Sequence, residues 1–186
     1  MKRWLVFPVF LGIALVFLVY ASCTKAPSTK ELKESMEIVD METKWVSKLY
    51  QPWPPRLILV PMISFKAKNV TTKPITYINF NAIFWRKGEK DNLGDCYLAA
   101  IRGTPVKAGE LSPTISMKSN FGVEGKTLDS IKNNPAWTTT YVKLFAQSKG
   151  SQFVLLGEWE ISRTIDFKEP EPVGIEPKEK KDEKKN

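Results

Sequence analysis

The sequence predicts an all-β domain of about seven strands, folded as two antiparallel sheets packed face to face. Three observations carry that expectation. Apolar residues recur with a period of two through most of the chain from residue 37 to 166. Turn-forming Gly, Pro and Asn clusters interrupt the pattern at short intervals, and only two short stretches read as helix. A chain of 186 residues suits one domain of ordinary size.

The elements follow in order. Leu32, Met36 and Val39 have helical spacing, and Ser28-x-x-Glu31 resembles a capping box. A short helix near 28–36 is therefore expected to give way to a strand at 37–47, where Val39, Met41, Thr43 and Trp45 alternate with Asp40, Glu42 and Lys44. Residues 51–55, Gln-Pro-Trp-Pro-Pro, cannot donate to a ladder at three of five positions, so an extended crossing between strands is expected. The strand at 57–69 places Ile63, Phe65 and Ala67 on one face, with Pro61 at a bulge or an unpaired start. After turn chemistry at 69–74 comes the clearest strand, 75–86, with Ile78, Phe80, Ala82 and Phe84 together. Strands at 95–102 and 113–121 flank a loop at 103–109. Residues 122–136 leave room for one or two helical turns around 127–133. Strands at 137–147 and 152–166, joined by Ser148-Lys149-Gly150-Ser151, close the domain. In the last of these, strict alternation sends Phe153, Leu155, Trp159 and Ile161 inward and Val154, Leu156, Glu158 and Glu160 outward.

The run from Phe65 to Ile75, with its Asn69-Val70-Thr71, the amphipathic strand after it, and Pro105 to Glu110 resemble FxLYD-type immunoglobulin-like domains. The likeness covers roughly residues 57–120. It implies an immunoglobulin-like antiparallel β-sandwich that serves as a binding or spacer module without catalysis.

The N-terminus reads as an address. Met1-Lys2-Arg3 is followed by seventeen uncharged residues, Trp4 to Tyr20, and then Ala21-Ser22-Cys23. A cationic tip, an apolar run and a small-residue exit make a signal sequence. Ala21-Ser22-Cys23 resembles the lipobox of bacterial lipoproteins, which implies acylation (palmitate among the acyl chains) at Cys23 and a lipid anchor in the membrane. An uncleaved transmembrane anchor is the alternative, because the run is just long enough to span a hydrocarbon core of about 30 Å. Either reading puts the body outside the cytoplasm. Thr24, rather than an acidic residue, follows the cysteine, which by the same resemblance implies an outer membrane lipoprotein facing the periplasm. The expected organisation is a signal peptide at 1–22, a tether and short helix at 23–36, a sandwich at 37–167 and a disordered Lys/Glu/Pro tail at 168–186, which has too few apolar groups to offset the entropy of ordering.

Composition excludes a good deal. The chain has no histidine, so His-based triads, His-x-x-x-His zinc sites and imidazole relays are impossible. The net charge of +8 comes mostly from residues 57–167, with fourteen basic against nine acidic side chains and no basic run. That distribution suits an anionic envelope surface and gives no expectation of nucleic acid. With Cys23 acylated, Cys96 has no partner for an internal disulfide and reads as a small buried hydrophobe. Gly122 to Thr127 ends like a phosphate loop but lacks the first glycine, having Asn120 in its place. Asp91, Asn92 and Asp95 read as a turn, since Leu93 interrupts the calcium-loop pattern. Glu158 and Glu160 read as solvated strand charges. No catalytic residue, metal site or cofactor is expected, and the chain is read as a non-enzyme.

What remains is a surface. Opposite the core on strand 75–86 lie Tyr77, Asn79, Asn81, Ile83 and Trp85, and on strand 137–147 lie Trp137, Tyr141, Lys143 and Phe145. Were those strands neighbours, as in an immunoglobulin-like sheet, the two sets would merge into one aromatic patch. Such patches mark interaction sites, here for another envelope protein, unless residues 24–56 fold across and bury it. A periplasmic carrier or sensor of a small apolar or lipid ligand is the second function expected, and it would need a cavity between the sheets.

Overall fold

In the computed structural model, residues 26–170 are described, and the expected signal peptide, Cys23 and most of the tail lie outside them. Helix α1 (Thr29–Glu34) is started by the expected capping box: the Ser28 side chain accepts from the Glu31 N–H, and the Glu31 carboxylate accepts from the Ser28 N–H at 2.8 Å. Its one buried residue, Leu32, plugs an end of the core. Strands β1 (Met36–Gln51) and β2 (Arg56–Asn69) form a long antiparallel hairpin. Residues 52–55 are therefore the tip of a hairpin within one sheet, not a crossing between strands, and the tip holds a cis Trp53–Pro54 bond. The prolines do remove ladder donors, but a tip has no ladder to serve.

The chain then crosses to the second sheet for β3 (Ile78–Arg86) and β4 (Asn92–Ile101), and returns for the short β5 (Ile115–Lys118) and β6 (Val123–Gly125). Helix α2 (Leu128–Lys132) is capped by Thr127 and precedes β7 (Thr140–Gln147) and β8 (Val154–Glu160) in the second sheet. Finally β9 (Ile165–Asp166) joins the first sheet parallel to β1. The first sheet runs β5-β2-β1-β9, with β6 also on β2; the second runs β4-β3-β7-β8. Consecutive hairpins split between facing sheets, with β3 beside β7, make a Greek-key, immunoglobulin-like β-sandwich.

The described residues form nine strands, two more than expected. The three residues of β6 are too few to show a period, and no strand is expected there. The expected strand at 152–166 is divided into β8 and β9, which lie in different sheets.

The core lies between the sheets. Phe65 of β2 meets Phe80 of β3 edge to face at 5.1 Å between ring centres. Trp45, Leu57, Leu59, Ile63, Phe84, Met117 and Leu144 are each buried to within 2% of completeness. Burial of each large side chain contributes about 1.5–3 kcal/mol.

Pro61 sits in the middle of central strand β2. Its carbonyl accepts from Ser119 N–H at 3.0 Å, and a strand residue turns its N and O to the same side. Its missing donor therefore faces the gap where the chain leaves β5 for β6, and the bulges fall instead on β1, at 39–42 and 47–49. Gly122 lies in that gap, where a Cβ would come within 1.8 Å of the Leu59 carbonyl oxygen. Only glycine fits there.

Asn69 closes β2 and is completely buried. Its Nδ2 donates to the carbonyls of Lys73 (2.8 Å) and Val106 (2.9 Å), and its Oδ1 accepts from Thr71 N–H and Thr71 Oγ1. All four hydrogen-bonding places of the amide are filled. The Asn-x-Thr of the sequence thus holds the 69–74 turn against the loop around Val106.

Candidate functional site

Register fixes the outer face of the second sheet. Residues directly opposite in neighbouring strands share a face, so rows can be read across all four strands. One row is Tyr97, Asn81, Phe145 and Leu155; the next is Asp95, Ile83, Lys143 and Glu158; a third continues Trp85, Tyr141 and Glu160. Core residues Phe80, Ala82, Phe84, Val142 and Leu144 occupy the opposite face. Residues 26–51 do not cross this surface: they form α1 and β1, and β1 belongs to the other sheet.

Of the nine residues expected here, six stand together on the outer face: Asn81, Ile83, Trp85, Tyr141, Lys143 and Phe145, all half-buried. Asn79 joins them but is 97% buried, pairing Ala99 and Gln147. Tyr77 lies just ahead of β3, where its hydroxyl accepts from Arg102 (2.8 Å) and Asn79 (3.2 Å), with the Arg102 guanidinium also over its ring at 4.9 Å. The Asn79 hydrogen bond and the nearby Arg102 and Lys149 charges lower the Tyr77 pKa, against the opposing effect of desolvation. Trp137 does not belong to the patch. Strand alternation does not reach it, because β7 begins at Thr140 and Trp137 N–H closes a turn onto the Asn134 carbonyl. Its ring packs on Trp45 at 4.4 Å and against the core.

The patch has a centre that alternation hid. Tyr97, Phe153 and Leu155 are 54%, 43% and 41% exposed. Tyr97 of β4 and Phe153, just ahead of β8, meet edge to face at 6.4 Å although β3 and β7 separate β4 from β8. Three strand spacings amount to about 14 Å, so both rings lean inward over the sheet. Phe153 and Leu155 were expected in the core. A register shift between Leu144 and Phe145 against β8 reverses the phase, so that Val154 is buried and Leu155 turns outward. Gly157 marks the irregularity, since a Cβ there would strike the Trp159 ring at 2.4 Å. A glycine inside an apolar run was the one sequence signal for a bulge.

The rows of the face carry three carboxylates, Asp95, Glu158 and Glu160, against one ammonium, Lys143. Lys143 is paired with Glu158 (3.8 Å) and lies 5.6 Å over the Trp85 ring. Asn79 Oδ1, Asn81 Oδ1 and Trp85 Nε1 are shut off from solvent with no hydrogen-bond partner among the described residues, as is Arg86 Nε at the strand end. Three of these four sit on the outward side of one strand. Glu158 and Glu160 do share a face, as expected, opposite Lys143 and Tyr141. Cys96 is half-buried and burial raises its thiol pKa. No group of acidic and cysteine side chains able to hold a metal occurs among the described residues.

No protein-family model matches the sequence, and no curated protein matches it. Among solved structures, a Northeast Structural Genomics Consortium target is similar over 70% of this chain and 89% of its own, at 8% identity and a TM-score of 0.42. A Bordetella pertussis protein designated ApaA is similar over 69% of this chain and 93% of its own, at 13% identity and a TM-score of 0.36. The ligand-binding region of serine-glutamate repeat protein A of Enterococcus faecium is similar over 68% and 96%, at 16% identity and a TM-score of 0.27.

Proposed function

We propose that the protein is a non-catalytic, membrane-anchored lipoprotein of the cell envelope, whose immunoglobulin-like domain binds another envelope protein through the outer face of the β4-β3-β7-β8 sheet. One observation carries the reading: Trp85, Tyr97, Tyr141, Phe145, Phe153 and Leu155 form a contiguous face left uncovered by the described residues, over polar atoms that lack partners. Aromatic residues with scattered polar groups are what protein interfaces enrich. An unpaired buried polar atom costs about 1–3 kcal/mol, and because these atoms have no exposed surface, a partner recovers that cost only by shifting the side chains that cover them. Acylation at Cys23, from the lipobox-like Ala21-Ser22-Cys23, would tether the domain at the periplasmic side of the outer membrane.

Two measurements test the two halves of the proposal. A photo-reactive residue at Tyr141 in intact envelopes captures one defined partner, and Trp85→Ala with Tyr141→Ala reduces capture at least tenfold while the melting temperature holds. A drop in melting temperature with the loss of capture would make both residues part of the fold's support. Metabolic labelling with an alkyne fatty acid marks the wild-type chain and not Cys23→Ser. An unlabelled wild type would remove the lipid anchor.

A further inference from the structure

We infer that the free edge of β4 pairs with a second copy of this chain, extending the second sheet across a twofold axis. β4 ends its sheet, and its ladder is with β3 alone. The Asp95 carbonyl accepts from Asn120 N–H, off the β3 side. Backbone groups alternate sides along a strand, so Tyr97 and Ala99 also turn N–H and C=O away from β3, and these four groups pair with no described residue.

Strand edges are guarded by charge, proline or a covering segment; residues 119–121 cover this edge at Gly94 and Asp95, but residues 96–101, Cys-Tyr-Leu-Ala-Ala-Ile, hold neither charge nor proline. The opposite edge is guarded: at the end of β8, Thr43 Oγ1 donates to the Glu160 carbonyl and accepts from Ser162 N–H. Beside the β4 edge, Leu98 is 36% exposed although it points to the core side, and Leu111 is 47% exposed. A hollow of about 340 Å³ continues along Ala100, Ile101, Val106, Leu111 and Pro113, with Arg102, Thr104 and Glu110 also on its wall. An added strand would therefore find apolar surface on both of its faces.

Self-complementarity favours a copy of this chain over another protein's segment. Antiparallel pairing about an axis through Leu98 sets Tyr97 of each copy opposite Ala99 of the other, so the four free groups on each copy make four hydrogen bonds. It also sets the two Leu98 side chains opposite each other at a non-hydrogen-bonded position, where side chains approach closest. The only charged residues from 92 to 102 are Asp95 and Arg102, near opposite ends. The same axis sets Asp95 of each copy opposite Ile101 of the other, one residue from Arg102, whose guanidinium also donates to Tyr77, while Asp95 Oδ1 also accepts from Asn120 Nδ2.

The test uses the full chain in its membrane, co-expressed in two differently tagged copies. Wild-type copies should co-purify, and the solubilised protein should sediment as a dimer. Leu98→Lys or Leu98→Glu in both copies should cut co-purification at least tenfold, and Leu98→Lys in one copy with Leu98→Glu in the other should restore it. Trp53→Lys, at the distant hairpin tip, should change nothing. Leu98 faces away from Trp85 and Tyr141, so these variants leave the partner-binding face of the preceding section untouched. A monomeric wild type would overturn the inference, as would a dimer indifferent to charge at position 98, or an edge occupied by a peptide of a different protein.

Discussion

The two sheets share one core but differ on their outer faces. Outside the first sheet, Val46, Val60 and Met62 form a small apolar cluster with Ile58, and Val60 is only 1% exposed. Met62 lies between Lys44 and Lys118 in register, so lysine stems cover it while their ammonium groups stay wet. Ion pairs complete that surface: Lys44 with Asp166 (2.9 Å), Lys66 with Asp40 (2.9 Å), and Arg56 with Glu124 (2.8 Å). Outside the second sheet the apolar groups are mostly aromatic and larger, and the one lysine among them, Lys143, lies over Trp85 and leaves Tyr97, Phe153 and Leu155 exposed. The first sheet finishes its own surface with charge, whereas the second leaves apolar area and unpaired amides for something else to complete.

The largest effect expected belongs to neither outer face. Asn69→Ala removes four hydrogen bonds and leaves the Thr71 N–H without a partner, while the Val106 carbonyl keeps Ile75 N–H and the Lys73 carbonyl keeps Thr71 Oγ1, so it should destabilise by about 2–3 kcal/mol. Chemical denaturation measures it, and a loss below about 1 kcal/mol would show that water replaces the amide.

The contrast between the faces comes next. Val60→Ala should cost about 1–2 kcal/mol because its neighbours already bury it. Phe153→Ala and Leu155→Ala, on the exposed patch, should stay within about 0.5 kcal/mol of wild type. Equal losses on the two sides would erase the distinction between a finished and an unfinished surface.

Smaller still is a pH effect on the first sheet. The Arg56 hydrogen bond holds the Glu124 carboxyl below its ordinary value of 4.5. A depressed folded-state pKa adds stability that is fully present above the unfolded value and lost as pH falls through the folded one. Glu124→Gln should therefore flatten part of the acid limb below about pH 4.5 and leave neutral stability nearly unchanged, because the pair is exposed. The second sheet offers a kinetic counterpart. Burial raises the Cys96 thiol pKa, so alkylation at neutral pH should be slower than for an exposed thiol. Rapid labelling would mean that the β4 edge opens.

Much of the fold was legible because alternation is a local property. The face of Ile78, Phe80, Ala82 and Phe84 follows from the pleat alone, and so does the outward set Asn81, Ile83 and Trp85. The α1 start was legible for the same reason, since Ser28 and Glu31 act within one turn. What was hidden depends on pairing. The β8 bulge that turns Leu155 outward exists only against β7. Trp137 is drawn inward by Trp45, ninety-two residues earlier in the sequence. β6 is a strand only because Leu57 to Leu59 lie beside it. The turn motif at Asn69 was visible, but that its amide reaches Val106 was not.

The length of β1 has a mechanical consequence. A pull on the chain ahead of α1 that is opposed from the hairpin-tip end of the domain loads this strand along its axis. The thirteen residue pairs that join β1 to β2 lie across that direction, so they are sheared as a group and cannot be peeled one after another. A domain fastened by such a strand resists extension far better than its modest size would suggest, and should yield first at the short β1–β9 contact of two residue pairs.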